Sequence, residues 1–180
     1  MNRFIPLLAS CLLLTPQVAP AATLLFCPFD SLEGWSVRSV GATSAAVVEK
    51  SAGARCAQLT SRHGTVLLTR DLPLDSVRGS TITVSCLVES AGVVRGPQVS
   101  STGKLHLAVE TPRGVDHYGA RFAGDSEWHR EGFTADVAAD ARRVTLNLGL
   151  EACSGRVRFD RLMVRNDQRA EHHLSLASTA

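Results

Sequence analysis

The chain has 180 residues, 44% hydrophobic and 5% aromatic, with 19 Lys and Arg against 17 Asp and Glu. A formal charge of +2 gives no field that would gather nucleic acid or an anionic membrane, so both are excluded as partners. Without an N-terminal leader about 160 residues remain, enough for one domain with a real core, and no internal repeat divides them.

Met1-Asn2-Arg3 supplies one positive charge, and residues 4–14 form an apolar run too short to span a bilayer. Ala19 and Ala21 place small residues where a signal peptidase reads them. Residues 1–21 are therefore expected to be a signal peptide, and the protein to be secreted or periplasmic with no membrane attachment after cleavage. Leu8-Ala9-Ser10-Cys11 superficially matches a lipoprotein signal, but the apolar run continues through Leu12-Leu13-Leu14. Lipid anchoring at Cys11 is the minority alternative. Arginine carries nearly all the positive charge, since Lys50 and Lys104 are the only lysines. Genomic base composition is the preferred explanation, and guanidinium recognition of planar anions the alternative.

Residues 23–28 read as a first strand, followed by a loop holding Asp30, Glu33, Gly34 and Trp35. Short apolar or β-branched runs at 45–49, 55–61 and 65–69 are separated by Ser-Ala-Gly and His-Gly turns. Residues 80–89 alternate strictly, with Ile82, Val84, Cys86 and Val88 on one face. Residues 91–103 form the longest loop. Residues 104–111 alternate again, with Leu105, Leu107 and Val109 inward and Lys104, His106 and Glu110 outward. Pro112-Arg113-Gly114 turns the chain into a loop holding Asp116-His117-Tyr118, and residues 131–137 make a further strand. Residues 138–143 fit one helical turn or a loop. The last two runs, 144–150 and 157–164, are predicted to form a hairpin about a Cys153-Ser154-Gly155 turn. In the second run the apolar phase slips from Val157 and Phe159 to Leu162 and Val164, which predicts a β-bulge at Asp160. About nine strands with closely spaced turns imply an all-β antiparallel sandwich over residues 22–165, with 166–180 a flexible polar tail.

Cys11 leaves with the leader, so Cys27, Cys56, Cys86 and Cys153 remain. An even count in an exported chain predicts two disulfides among three possible connectivities, each contributing roughly 2–4 kcal/mol. No Cys and His spacing suits zinc. No enzyme is read here. Gly124-Asp125-Ser126 is an esterase-like block without the strand–turn–helix setting a nucleophile needs, and nothing makes two of Glu110, Glu127 and Glu131 converge. His172-His173 falls in the tail.

A set of core and turn residues carries a resemblance. Leu24-Leu25 precede Phe29-Asp30 and Gly34-Trp35, and Ser51-Ala52-Gly53 precedes Ala57 and Leu59. Then come Leu72, Leu74, Arg78-Gly79, Ile82 and Val84-Ser85; Glu127-Trp128 and Phe133; Val144 and Leu146; and Phe159-Asp160, Leu162 and Val164. In this order they resemble the jelly-roll carbohydrate-binding modules of the cellulose- and xylan-binding type, within the galactose-binding-like sandwiches. The resemblance spans nearly the whole mature chain. Asp30 stands where such modules usually have Glu, and Ile82 where they usually have an aromatic.

The resemblance implies a jelly-roll sandwich and a polysaccharide or glycan partner, bound without catalysis. Sugar faces stack on Trp or Tyr rings, with planar polar groups meeting the hydroxyls. Trp35, Trp128 and the phenylalanines at 26, 29, 133 and 159 read as structural and Phe122 is ambiguous, which leaves Tyr118 as the platform. Lys104, His106 and Glu110 would supply polar contacts. A solvated strand face with an ordinary loop tyrosine is the other reading, and the protein would then be an exported structural or protein-interaction jelly roll. The resemblance also implies one structural calcium held by Asp30 and Asp160, with carbonyls of residues 51–55 completing the shell. Pairing of Asp160 with an arginine is the alternative. Finally, it places the first and last strands side by side and antiparallel. That sets Cys27 beside Cys153 and leaves Cys56 for Cys86, with a buried free thiol at Cys86 as the alternative.

Overall fold

The computed structural model describes residues 22–51 and 53–167. The expected signal peptide with Cys11, Ala52 of the 51–55 loop, and residues 168–180 with His172 and His173 lie outside them. Nine strands follow one another: β1 (Ala22–Cys27), β2 (Ser36–Val40), β3 (Thr43–Ser51), β4 (Ala54–Asp71), β5 (Thr81–Val94), β6 (Gly103–Thr111), β7 (Gly114–Phe122), β8 (Gly124–Asp136) and β9 (Arg143–Asp167). The only helical element among the described residues is a 3-10 turn at Leu74–Ser76. Residues 138–142 form a turn, closed by Ala141 N–H donating to the Ala138 carbonyl at 3.1 Å, and Arg143 opens β9.

β4 and β9 organise the molecule. They run antiparallel side by side from Ala57↔Phe159 to Asp71↔Thr145, with the register broken around Gly64↔Cys153. An extra residue in one strand of a pair bends it. Here Ala152 takes φ +46°, and a Cβ on Gly64 would lie 2.1 Å from the Val40 carbonyl oxygen. Ser61 Oγ donates to the Cys153 carbonyl at 2.8 Å, and Ala152 N–H donates to Thr65 Oγ1 at 2.9 Å, which ties the bend across the pair.

Each half of the bent pair then belongs to a different layer. In the back layer, residues 54–61 of β4 and 154–167 of β9 are flanked by β3, β5 and β8, and β1 lies beside the end of β9. In the front layer, residues 65–71 of β4 and 143–150 of β9 are flanked by β2, β6 and β7. All pairings are antiparallel. Leu59, Val84, Val88 and Phe159 of the back layer and Leu68, Leu105, Leu107, Leu146 and Leu148 of the front layer are fully buried in one core. The alternation that predicted residues 80–89 and 104–111 is thus the inward face of β5 and β6. The fold is an all-β antiparallel jelly-roll sandwich.

The predicted hairpin of 144–150 and 157–164 is one continuous strand, because residues 152–155 form a bulge that carries β9 between layers and do not reverse it. Likewise 55–61 and 65–69 are one strand, β4. β2 and β7 had been read as loop. β9 continues to Asp167, with Asn166 buried and its side-chain amide donating to the Ser76 carbonyl at 2.7 Å.

The expected disulfides are corrected. All four cysteines are buried free thiols. β1 does pair antiparallel with β9, but Cys27 stands opposite Leu162 and Cys153 opposite Gly64. The nine residues between those positions amount to about 25–30 Å of strand, against the roughly 7 Å between Cα atoms that a bridge tolerates. Cys86 points into the core, whereas Cys56 lies on the other face of the back layer, beside Asp160 and Leu87. Burial raises the thiol pKa of Cys86, Cys56 and Cys153 alike.

Candidate functional site

The outward face of the front layer forms an open groove of about 610 Å³. Side chains that point the same way on neighbouring antiparallel strands line up in rows across the sheet. One row runs Arg38, Leu67, Gly149, Lys104, Arg121, from β2 across β4, β9 and β6 to β7. The next runs Ser36, Thr69, Asn147, His106, Gly119. A third brings Ala108 beside His117. Leu67 supplies an apolar part of the floor and Asn147 a polar amide beside it. The walls carry the charged and imidazole groups.

Lys104 and His106, two residues singled out in the sequence, are brought together here. Lys104 is 8% exposed, and its ammonium is ion-paired with the Glu151 carboxylate at the groove edge. The His106 and His117 rings lie 5.0 Å apart between centroids, tilted by 34°. Burial, with the charges of Lys104, His117 and Arg121 behind it, pushes the His106 pKa down to about 4, so the ring is neutral at pH 7.

Glu110 is not part of the groove lining. It lies further along the outward face of β6, opposite Arg143. Arg143 grips Asp71 with two guanidinium nitrogens, at 3.1 and 3.0 Å, and Thr145 donates to the same carboxylate at 2.7 Å. That pairing holds the Asp71 carboxyl below its usual range.

Tyr118 sits in β7 and not in a loop, in register with the fully buried Leu107. Its ring packs against the core and its hydroxyl donates to the Asp136 carbonyl at 3.2 Å, so it ties β7 to β8 at the groove margin. It does not stand in the groove as a stacking platform. Arg38, Arg121, His117, Asn147 and Glu151 line the groove but were not identified as site residues. The signal for Arg38 was the short alternation Ser36-Val37-Arg38-Ser39-Val40; every residue of β2 is exposed, so no apolar stripe marked it.

The acidic residues expected to hold calcium are differently engaged. Asp160 is buried, and its carboxylate accepts from the Lys50 ammonium at 2.9 Å; that ammonium also lies 3.8 Å from the Trp128 ring centroid. Asp30 is exposed in a separate shallow pocket with Glu33 and Arg70. Among the described residues, no three His, Cys, Asp or Glu side chains converge as a metal site. A divalent ion on Asp160 would face an ammonium in place of further oxygens, so these residues do not fit a calcium shell. Of the other back-layer charges, Arg158 binds Glu89 at 3.0 Å and Gln58 at 2.8 Å. The carboxylates considered for catalysis are split between layers, with Glu110 on β6 and Glu127 and Glu131 on β8. Phe26, read as structural, is 54% exposed.

No protein-family model matches the sequence, and no curated protein does. Solved structures do match the fold. The C-terminal family 22 carbohydrate-binding module of Clostridium thermocellum Xyn10B superposes with a TM-score of 0.59 at 11% identity, over 81% of this chain and 94% of that one. A xylan-binding domain of the same family gives 0.60 at 14% identity, over 81% and 96%. The first such xylan-binding domain of Paenibacillus barcinonensis Xyn10C gives 0.54 at 16% identity, over 84% and 100%. The chain shares the jelly-roll fold of these modules across nearly their whole length.

Proposed function

We propose that the protein is an exported, non-catalytic glycan-binding protein that holds a polysaccharide in the front-layer groove. The observation that carries this reading is the groove itself. It is an open channel across five strands with Leu67 in its floor and hydrogen-bonding groups along it, from Lys104, His106, His117 and Asn147. An extended chain of hydroxylated rings needs such a surface, with length to lie along and planar polar groups to meet its hydroxyls. The structural neighbours described as xylan-binding support the same class of ligand. Export rests on the N-terminal pattern of residues 1–21.

The test is retardation of the protein in native gels containing soluble polysaccharides, xylan among them. The wild type is retarded by at least one, and His106→Ala with His117→Ala abolishes that retardation while the thermal midpoint holds. One observation favours the competing reading, a jelly roll used for structure or protein contact: among the described residues, Tyr118 is the groove's one Trp, Tyr or Phe side chain, and it packs against the core. Absence of retardation across the panel would favour that reading.

A further inference from the structure

We propose that the groove selects an anionic glycan, one bearing carboxylate groups along its chain, gripped by Arg38 at one wall and Arg121 at the other. This rests on the glycan-binding reading and narrows its ligand class.

The placement of charge is the first observation. Across the whole chain cations and anions nearly balance, yet the groove lining holds Arg38, Lys104 and Arg121 against one carboxylate, Glu151. That carboxylate is already paired with Lys104. Outside the groove, Arg143 pairs with Asp71, Arg158 with Glu89 and Lys50 with Asp160, while exposed arginines such as Arg62 and Arg165 have no such partner among the described residues; the groove differs in gathering its cations on one concave face. Among the described residues, neither Arg38 nor Arg121 has a carboxylate within the 4.0 Å of an ion pair.

The second observation is register. Arg38 and Arg121 stand in the same row, at its two ends, with Leu67, Gly149 and Lys104 between them. Four strand spacings of roughly 4.8 Å put the two walls about 19 Å apart. A polysaccharide crossing the strands along this row would lay its rings on the floor and bring carboxylates several sugar units apart to the two guanidiniums. Guanidinium is suited to that role, because its planar fork matches a carboxylate with two parallel hydrogen bonds.

The third is the scarcity of rings. Among the described residues, Tyr118 is the one Trp, Tyr or Phe lining the groove, and its ring packs against the core. Stacking therefore cannot supply most of the affinity, and charge-assisted hydrogen bonds are the strong contacts left. The His106 pKa is lowered first by burial, and the charges of Lys104, His117 and Arg121 add to that shift.

The experiment is titration calorimetry of the purified protein with polygalacturonate, its fully methyl-esterified form, neutral xylan and dextran sulfate at near-physiological salt. Polygalacturonate should bind at least tenfold more tightly than its ester. Arg38→Gln and Arg121→Gln should each weaken the acid form about tenfold and leave the ester unchanged. Arg165→Gln, on the other layer, should change neither. Equal affinity for acid and ester, or for xylan and polygalacturonate, would overturn the charge inference and leave glycan binding standing. The inference is equally overturned if dextran sulfate binds as tightly as polygalacturonate, or if Arg165→Gln weakens binding as much as the groove variants. No binding to any of the four would remove the glycan reading with it.

Discussion

Tyr118 lines the groove from β7. A tyrosine between Pro112-Arg113-Gly114 and Gly124 was the obvious aromatic to offer a sugar, and it does lie at the groove. Its partners decide its role: the ring rests on the core and the hydroxyl reaches β8. Tyr118→Phe should therefore cost about 0.5–1.5 kcal/mol of stability, the usual net value of one hydrogen bond, and leave glycan retention intact. Urea unfolding and gel retardation on the same variant check both halves. His106 makes a pH prediction. Its folded pKa of about 4 lies below the ordinary 6.5, so between those values an unfolded chain binds a proton that the folded one refuses. Its contribution to stability is thus complete above pH 6.5 and declines as pH falls toward 4. His106→Gln should lose less of its urea midpoint between pH 7 and pH 4.5 than the wild type does. The groups facing His106, namely Lys104, His117, Arg121 and Glu151, are unchanged in that comparison. Lys50 makes a third. With its ammonium on Asp160, chelators should leave the thermal midpoint where it is, while Lys50→Met strands a buried carboxylate and costs about 3 kcal/mol. A midpoint lowered by chelator would restore the calcium expectation.

At the scale of elements, the sequence was legible wherever one face of a strand is buried and the other wet. β5 and β6 were read from Ile82, Val84, Val88, Leu105, Leu107 and Val109 because each of those positions faces the core. The failures have a common physical origin. β2 is exposed throughout and β7 nearly so, which removes the period-2 signal. β4 and β9 cross from one layer to the other, and the bulge that lets them do so carries Gly, Ser and His residues that otherwise mark turns. Two strands were missed and two were each split in half, so the expected count of nine was matched by a different set. The disulfide error followed directly. With β9 begun too late, Cys27 fell beside Cys153, whereas the true register sets Cys27 against Leu162. The expected outcome is four titratable thiols from Cys27, Cys56, Cys86 and Cys153 when protein purified without reductant is unfolded in denaturant. A Cys27–Cys153 peptide in a non-reducing map would contradict the register.

At the scale of the whole molecule, the bent β4–β9 pair accounts for both core and groove. The same two strands supply the inward Leu68, Leu146 and Leu148 of the front layer and, on alternate residues, the groove-lining Leu67 and Asn147. The groove is therefore a consequence of the core's register. Its chemistry was only half legible, because β6 was read and the flanking β2 and β7, which bring Arg38, His117 and Arg121, were not. Hydrogen exchange of the protein with and without soluble xylan or polygalacturonate tests the placement of binding most directly. Bound polysaccharide should slow exchange in β2, β6 and β7 and leave β3, β5 and β8 unchanged. Binding accompanied by protection only in the back layer, or only in the loops around Val40 and Val94, would contradict the assignment of this groove.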